Sequence, residues 1–190
     1  RDGDGHVLSP AHIHCTLEAA FEQTEPGQSV WFDDGKIGGI VKQNDGEQIT
    51  VRITHTGPQG AKLRAEKGIN FPDTALRMSA LTDKDRRDLP EVVKLADMIA
   101  LSFVRGPADV ECLHDELYRL GASHLGVVLK IENRQAFENL PHILLASLHS
   151  PLVGVMIARG DLAVEVGFER LSEVQQEVLW LCEAAHDAKV

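Results

Sequence analysis

Hydrophobic positions along this chain change their period as it proceeds. Leu17, Ala20 and Phe21 fall at helical spacing, which predicts a short helix over 16–23. From Ser29 the apolar residues come in short β-rich runs: Val30-Trp31-Phe32, Ile37 to Val41 and Ile49 to Ile53. Asp33-Asp34-Gly35 and Asp45-Gly46 separate them, and Asp-Gly between such runs predicts hairpins. Gly57-Pro58-Gln59-Gly60 breaks the pattern again, and Lys67-Gly68-Ile69-Asn70-Phe71-Pro72 leads out of it. Residues 1–72 thus read as a small β-rich module with little core of its own.

Beyond Pro72, over residues 73–190, helix and strand alternate. Thr82 can cap a helix that starts at Asp83. Pro90, which has no N–H and disfavours helical backbone at Leu89, is expected to interrupt or restart it. Met98 to Val104 reads as a buried strand, and Pro107 opens a helix with Val110, Leu113, Leu117 and Leu120 on one face until Gly121 ends it. Leu125 to Ile131 is the next strand. One helix then follows, with Ala136, Phe137, Leu140, Ile143 and Leu144 inward despite Pro141. Leu152 to Ala158 is a third strand. A last helix begins at Ser172, where Ser172 and Gln175 match a capping box, with Val174, Val178, Leu181 and Ala185 as its apolar face. Strands opening at 98, 125 and 152 recur every 27 residues, close to the roughly 30 residues per unit of a (β/α)8 barrel. The expected fold is α/β: a parallel sheet of three to four βα units, a partial barrel, with the small all-β module on its N-terminal side.

Two of these strands end in charge. Val127-Val128-Leu129 runs into Lys130-Ile131-Glu132-Asn133, and Val153 to Ala158 runs into Arg159-Gly160-Asp161. A charge at the end of a buried strand is costly unless it has a partner or a task. Lys130 and Glu132, two apart, share one strand face. A neighbouring parallel strand about 4.8 Å away would bring Asp161 towards Glu132. Two carboxylates and a lysine suit Mg2+, which takes one or two carboxylates and leaves its other positions to water and substrate oxygens. The lysine would supply positive charge where an oxyanion develops, and the backbone around Gly160 could approach an anion. A structural salt-bridge cluster at strand ends is the alternative that spacing alone leaves open.

Composition narrows the function classes. The 190 residues are 43% hydrophobic and 25% charged, as in ordinary globular proteins. With 29 acidic and 19 basic side chains the formal charge is -10, which argues against a general nucleic-acid binder. No apolar run reaches the roughly 18–20 residues that span a bilayer. Cys15, Cys112 and Cys182 are dispersed and odd in number, which fits a reducing, intracellular setting. The N-terminus, Arg1-Asp2-Gly3-Asp4-Gly5, is polar, without the apolar core of a signal peptide or an initiator methionine, which fits a processed chain or an excised piece. His6, His12 and His14 lack further ligands at metal-binding spacing, and His114 and His142 read as surface residues on helices. No phosphate loop of the GxxxxGK[ST] type occurs, and Gly35, Gly38 and Gly39 lack the context of a dinucleotide site.

The strand-end motifs also resemble a known family. Lys130-Ile131-Glu132-Asn133 and Met156-Ile157-Ala158-Arg159-Gly160-Asp161-Leu162 are similar to the two active-site signatures of pyruvate kinases, and Leu81-Thr82-Asp83-Lys84-Asp85 and Ser102-Phe103-Val104-Arg105 extend the likeness. Asp33-Asp34-Gly35 and Lys67-Gly68-Ile69-Asn70 resemble that family's mobile lid domain, so the match runs in order from about residue 14 to the end. The resemblance implies phosphoryl transfer from phosphoenolpyruvate to ADP, giving pyruvate and ATP, in the cytoplasm. By it, Lys130 would be the catalytic lysine that stabilises the enolate-like transition state. Glu132 and Asp161 would hold Mg2+ or Mn2+. Ala158, Arg159 and Gly160, with Lys130 and Asp161, would bind the substrate, and Lys67 of the lid-like module would reach the nucleotide phosphates. A K+ requirement also follows from the resemblance, but its ligands lie in barrel strands that this chain lacks, as does the phosphate-binding arginine. A full-length parent would form a homo-oligomer. Ala163 stands where the family has glycine, and Pro90 and the connection 146–151 also depart from the pattern. Competing expectations are another pyruvate- or phosphoenolpyruvate-using barrel such as a metal-dependent aldolase, and a non-catalytic binding module. The lid-like module and the Asp-Asp-Gly turn favour the kinase.

Overall fold

A computed structural model describes residues 10–187. His6 lies outside them. The chain divides into two compact units, Arg1–Arg77 and Met78–Val190.

In the first unit a short helix, α1 (Glu18–Gln23), precedes an antiparallel sheet of β1 (Ser29–Phe32), β2 (Ile37–Asn44), β3 (Ile49–Thr56) and β4 (Ile69–Asn70), in the order β3-β2-β1-β4. The β1–β2 turn forms as Asp-Asp-Gly predicts: Asp33, Asp34 and Gly35 all have left-handed φ, at 52°, 53° and 83°. Short polar side chains and glycine tolerate that region best. At Asp45-Gly46 the Asp45 carboxylate accepts from the N–H groups of Glu47 and Gln48, closing the β2–β3 turn. A small core of Ala20, Val30, Phe32, Ile37, Val41 and Phe71 holds the unit together.

The second unit is built on a parallel sheet of β5 (Met98–Leu101), β6 (Gly126–Ile131) and β7 (Val153–Ile157), in that order, with β6 central. Its helices are α2 (Asp83–Leu95), α3 (Pro107–Arg119), α4 (Arg134–Glu138), α5 (Leu140–Ser147), α6 (Arg159–Val166) and α7 (Leu171–Asp187). The fold is the expected α/β arrangement of βα units in one unit, with a small antiparallel sheet in the other. On β6 the burial alternates with period two. Val127, Leu129 and Ile131 are fully buried in the main core, while Val128 and Lys130 are on the other face and only half-buried.

Several local expectations give way to tertiary context. Helix α2, capped by a Thr82–Asp85 capping box, continues through Pro90. Proline's fixed φ is itself helical, so the ring removes one hydrogen bond without ending a helix whose Leu89 is anchored in the core. Pro141 does the opposite. It begins α5 after a break at Asn139, so the single helix expected there is two, and proline sits in the first turn where its missing N–H costs nothing. Ser172 is not a cap, because a 3-10 turn at Phe168–Arg170 leads directly into α7 at Leu171. Strand β5 stops at Leu101 rather than running to Val104, and Phe103 turns back with φ of 51°. Among the described residues, no helix is long and apolar enough to cross a membrane.

Candidate active site

Parallel strands end at one edge of their sheet, and here the chemistry gathers at that edge. Glu132 follows β6 and is 3% exposed, yet it is well partnered. Its Oε1 lies 2.8 Å from the Lys130 ammonium, and its Oε2 accepts the Phe103 N–H at 2.6 Å. The ammonium also donates to Ser102 Oγ at 3.0 Å. The period-two expectation for Lys130 and Glu132 therefore holds, and their charges meet. A carboxylate this buried requires such partners, since isolated ionised groups are strongly disfavoured away from water.

Asn133 fastens the same edge. Its side-chain oxygen accepts from the Ala136 N–H at 2.8 Å, capping α4, and its amide donates to the Val104 carbonyl at 3.0 Å. Asn139 adds a second tie to the same turn, donating to the Arg105 carbonyl at 2.8 Å. On the other flank, Ile157 of β7 is registered with Ile131, and the Ala158 N–H donates to the Ile131 carbonyl at 3.1 Å. Ala158 is thus beside Glu132 in the chain's register. Arg159, Gly160 and Asp161, into which the third strand was expected to run, form the first turn of α6. A helix start leaves its first N–H groups without intrahelical partners. Ala163, buried at 2%, fits within α6, so the extra methyl relative to glycine is accommodated.

Glu132, after β6, and Asp161, in the first turn of α6, carry the oxygen donors that suit a hard cation with few protein ligands. Among the described residues there is no cluster of three or more His, Cys, Asp or Glu that could hold a metal ion. His12 and His14 belong to no such cluster.

Lys67 belongs to the first unit, just before β4. Its ammonium lies 3.3 Å from Asp33 Oδ1, and Lys36 lies 3.0 Å from Oδ2. The hydrogen bond from Lys36, with Lys67 adding to it, holds the Asp33 carboxyl below the usual range. Lys67 remains substantially exposed.

Sequence reasoning assigned no role to Ser102, Phe103 or Asn133. All three lie in the motifs that carry the family resemblance, which gave them no individual task. His114, read as a surface residue, is instead half-buried, with Nε2 2.7 Å from Ser150 Oγ and its ring edge-on to His149.

A family model described as "Pyruvate kinase, barrel domain" matches residues 6–190. Similar relatives include the pyruvate kinase of Mycobacterium tuberculosis, 35% identical over 88% of this chain and 34% of the relative's length. That of Clostridium acetobutylicum is 31% identical over 96% of this chain and 37% of its own length. That of Corynebacterium glutamicum is 34% identical over 88% and 33%. The chain spans about a third of the length of these relatives.

Proposed function

The chain belongs to the pyruvate kinase family, and on that premise we propose that it carries the enolate-handling part of a site for phosphoryl transfer from phosphoenolpyruvate to ADP. The observation that carries the reading is the Lys130–Glu132 pair at the end of the central strand, flanked by the first turn of α6. When the phosphoryl group leaves, negative charge develops on the oxygen it leaves behind, and protonation of the resulting enolate carbon yields pyruvate. Lys130 is the cation assigned to that oxygen, and its ties to Ser102 and Glu132 orient it in advance, which is where electrostatic catalysis gains most. The backbone at Ala158, Arg159 and Gly160 is assigned to the substrate carboxylate, through the N–H groups of Arg159 and Gly160, since that of Ala158 donates to Ile131. Glu132 and Asp161 would hold Mg2+ or Mn2+, which supplies positive charge to substrate oxygens when bound. Lys67 is assigned to the nucleotide phosphates, K+ is the expected monovalent partner, and the setting is cytoplasmic. A longer parent chain would assemble as a homo-oligomer.

Aldolase chemistry on an enolate would use the same cation and lysine, but it would not call for a nucleotide-binding lysine. The test is a coupled assay for pyruvate formation with Mg2+, K+, phosphoenolpyruvate and ADP, alongside Mn2+ binding. Lys130→Met should abolish pyruvate formation, and Glu132→Gln and Asp161→Asn should weaken Mn2+ binding whether or not the chain turns over. Full activity in Lys130→Met would overturn the role given to that lysine.

A further inference from the structure

Phe103 is an anomaly in its own neighbourhood. It is a bulky aromatic residue with φ of 51°, a region that a side chain with a Cβ seldom occupies, and its ring is 52% exposed. Burial therefore does not explain the conformation. Strained backbone of this kind persists where the surroundings demand it and is concentrated at functional positions.

We propose that Ser102-Phe103 is a two-residue clamp that positions the Lys130–Glu132 pair, with Phe103 acting as a positioning residue through its backbone N–H. The inference rests on the metal reading given above and assigns a task to Phe103, which that reading does not use. Each member of the pair is held by one of two consecutive residues: the Lys130 ammonium by Ser102 Oγ at 3.0 Å, the Glu132 carboxylate by the Phe103 N–H at 2.6 Å. Had the apolar run from Met98 continued extended to Val104, the N–H of residue 103 would lie in the plane of the sheet, as ladder donors do. The chain instead leaves the ladder after Leu101 with the Phe103 N–H aimed at Oε2, and the left-handed φ of Phe103 then turns the following residues out of the strand's line. Because Oε1 contacts the ammonium at 2.8 Å, both carboxylate oxygens are engaged and the group's orientation is set before any cation arrives. Partners that orient a metal-binding carboxylate in this way matter nearly as much as the ligand itself.

The decisive variant replaces the N–H and keeps the side chain. Incorporating phenyllactic acid at position 103 replaces that N–H with an ester oxygen and keeps the ring. We expect this chain to bind Mn2+, followed by the electron paramagnetic resonance of the free ion, about 10–100-fold more weakly than wild type. Phe103→Gly keeps the N–H and adopts left-handed backbone without strain, so its Mn2+ affinity should stay within about threefold of wild type. An ester chain that binds Mn2+ like wild type, or a Phe103→Gly chain that loses as much as the ester, overturns the proposal. Amide exchange read by NMR separates this result from the metal reading. The Phe103 amide should exchange at least about tenfold faster in Glu132→Ala, which removes the acceptor, than in wild type, metal absent. Equal exchange in the two chains refutes the clamp even if Mn2+ binds. A protected amide in a wild type that binds no Mn2+ overturns the metal reading, and with it the purpose assigned to the contact.

Discussion

Replacing Asn133 tests how the charged edge of the sheet is fastened. Its side chain makes two distinct bonds, one accepted from Ala136 at the start of α4 and one donated to the carbonyl of Val104, a residue with no exposed surface. Asn133→Ala removes both. Loss of the cap costs about 1 kcal/mol, and a buried carbonyl left without its donor costs about 1–3 kcal/mol. The alanine chain should therefore lose about 2–4 kcal/mol. With a urea m-value near 1.5 kcal/mol/M for a unit of this size, a loss of about 3 kcal/mol lowers the midpoint by about 2 M. Asn133→Asp restores the cap acceptor but not the donor to Val104, so it should recover about 1 kcal/mol of that loss. Urea titration followed by far-UV circular dichroism reads the second unit almost alone, since α2 to α7 all belong to it. An alanine chain within about 0.3 M of wild type would refute the two-bond account. An aspartate chain no better than alanine would show that the cap contributes nothing.

Other outcomes follow from the same contacts. Burial, with the nearby His149 acting in the same direction, holds the His114 imidazole below its ordinary 6.5, against the opposing pull of Asp115 and Glu111. The unfolded chain then takes up its proton first, so stability should fall as pH drops below about 6.5, and stop falling once folded His114 protonates too. His114→Gln should flatten denaturation midpoints measured between pH 7 and 5, and equal slopes in both chains would count against this. Gly39→Ala would place a Cβ 2.5 Å from Val51 Cγ1 and 2.8 Å from the Arg52 carbonyl. It should unfold the first unit at lower temperature while leaving the helical signal of the second unit unchanged. Leu129→Ala, at a fully buried position of β6, should cost about 2–5 kcal/mol by urea titration.

Much of the second unit was legible because β5, β6 and β7 are continuous apolar runs at even spacing, and such runs have few ways to be buried. Lys130 and Glu132 were legible for a simpler reason: a strand's period of two decides which side chains share a face, whatever surrounds them. What stayed hidden depends on groups remote in sequence. Nothing local at Ser102-Phe103 says that the strand must stop, because the partner that accepts the Phe103 N–H is Glu132, 29 residues away. Pro90 and Pro141 carry the same local prohibition but differ in outcome. One follows a buried Leu89 inside an anchored helix, and the other falls where Asn139 already ends α4. His114 and Ser150 are 36 residues apart and meet only because α3 packs near the end of α5.

The central place of β6 also sets an order of events in time. Its residues are bonded to β5 on one side and β7 on the other, while each of those flanking strands has β6 as its only ladder partner among the described residues. Breathing motions that peel away a flanking strand can come and go while the middle one stays in register. To loosen β6 from Val127 to Leu129, both neighbours must let go together, whereas Lys130 and Ile131 are paired with β7 alone. The least fluctuating stretch of the sheet is therefore the one that leads into the charged pair, and the faster motions are left to the strands at its sides.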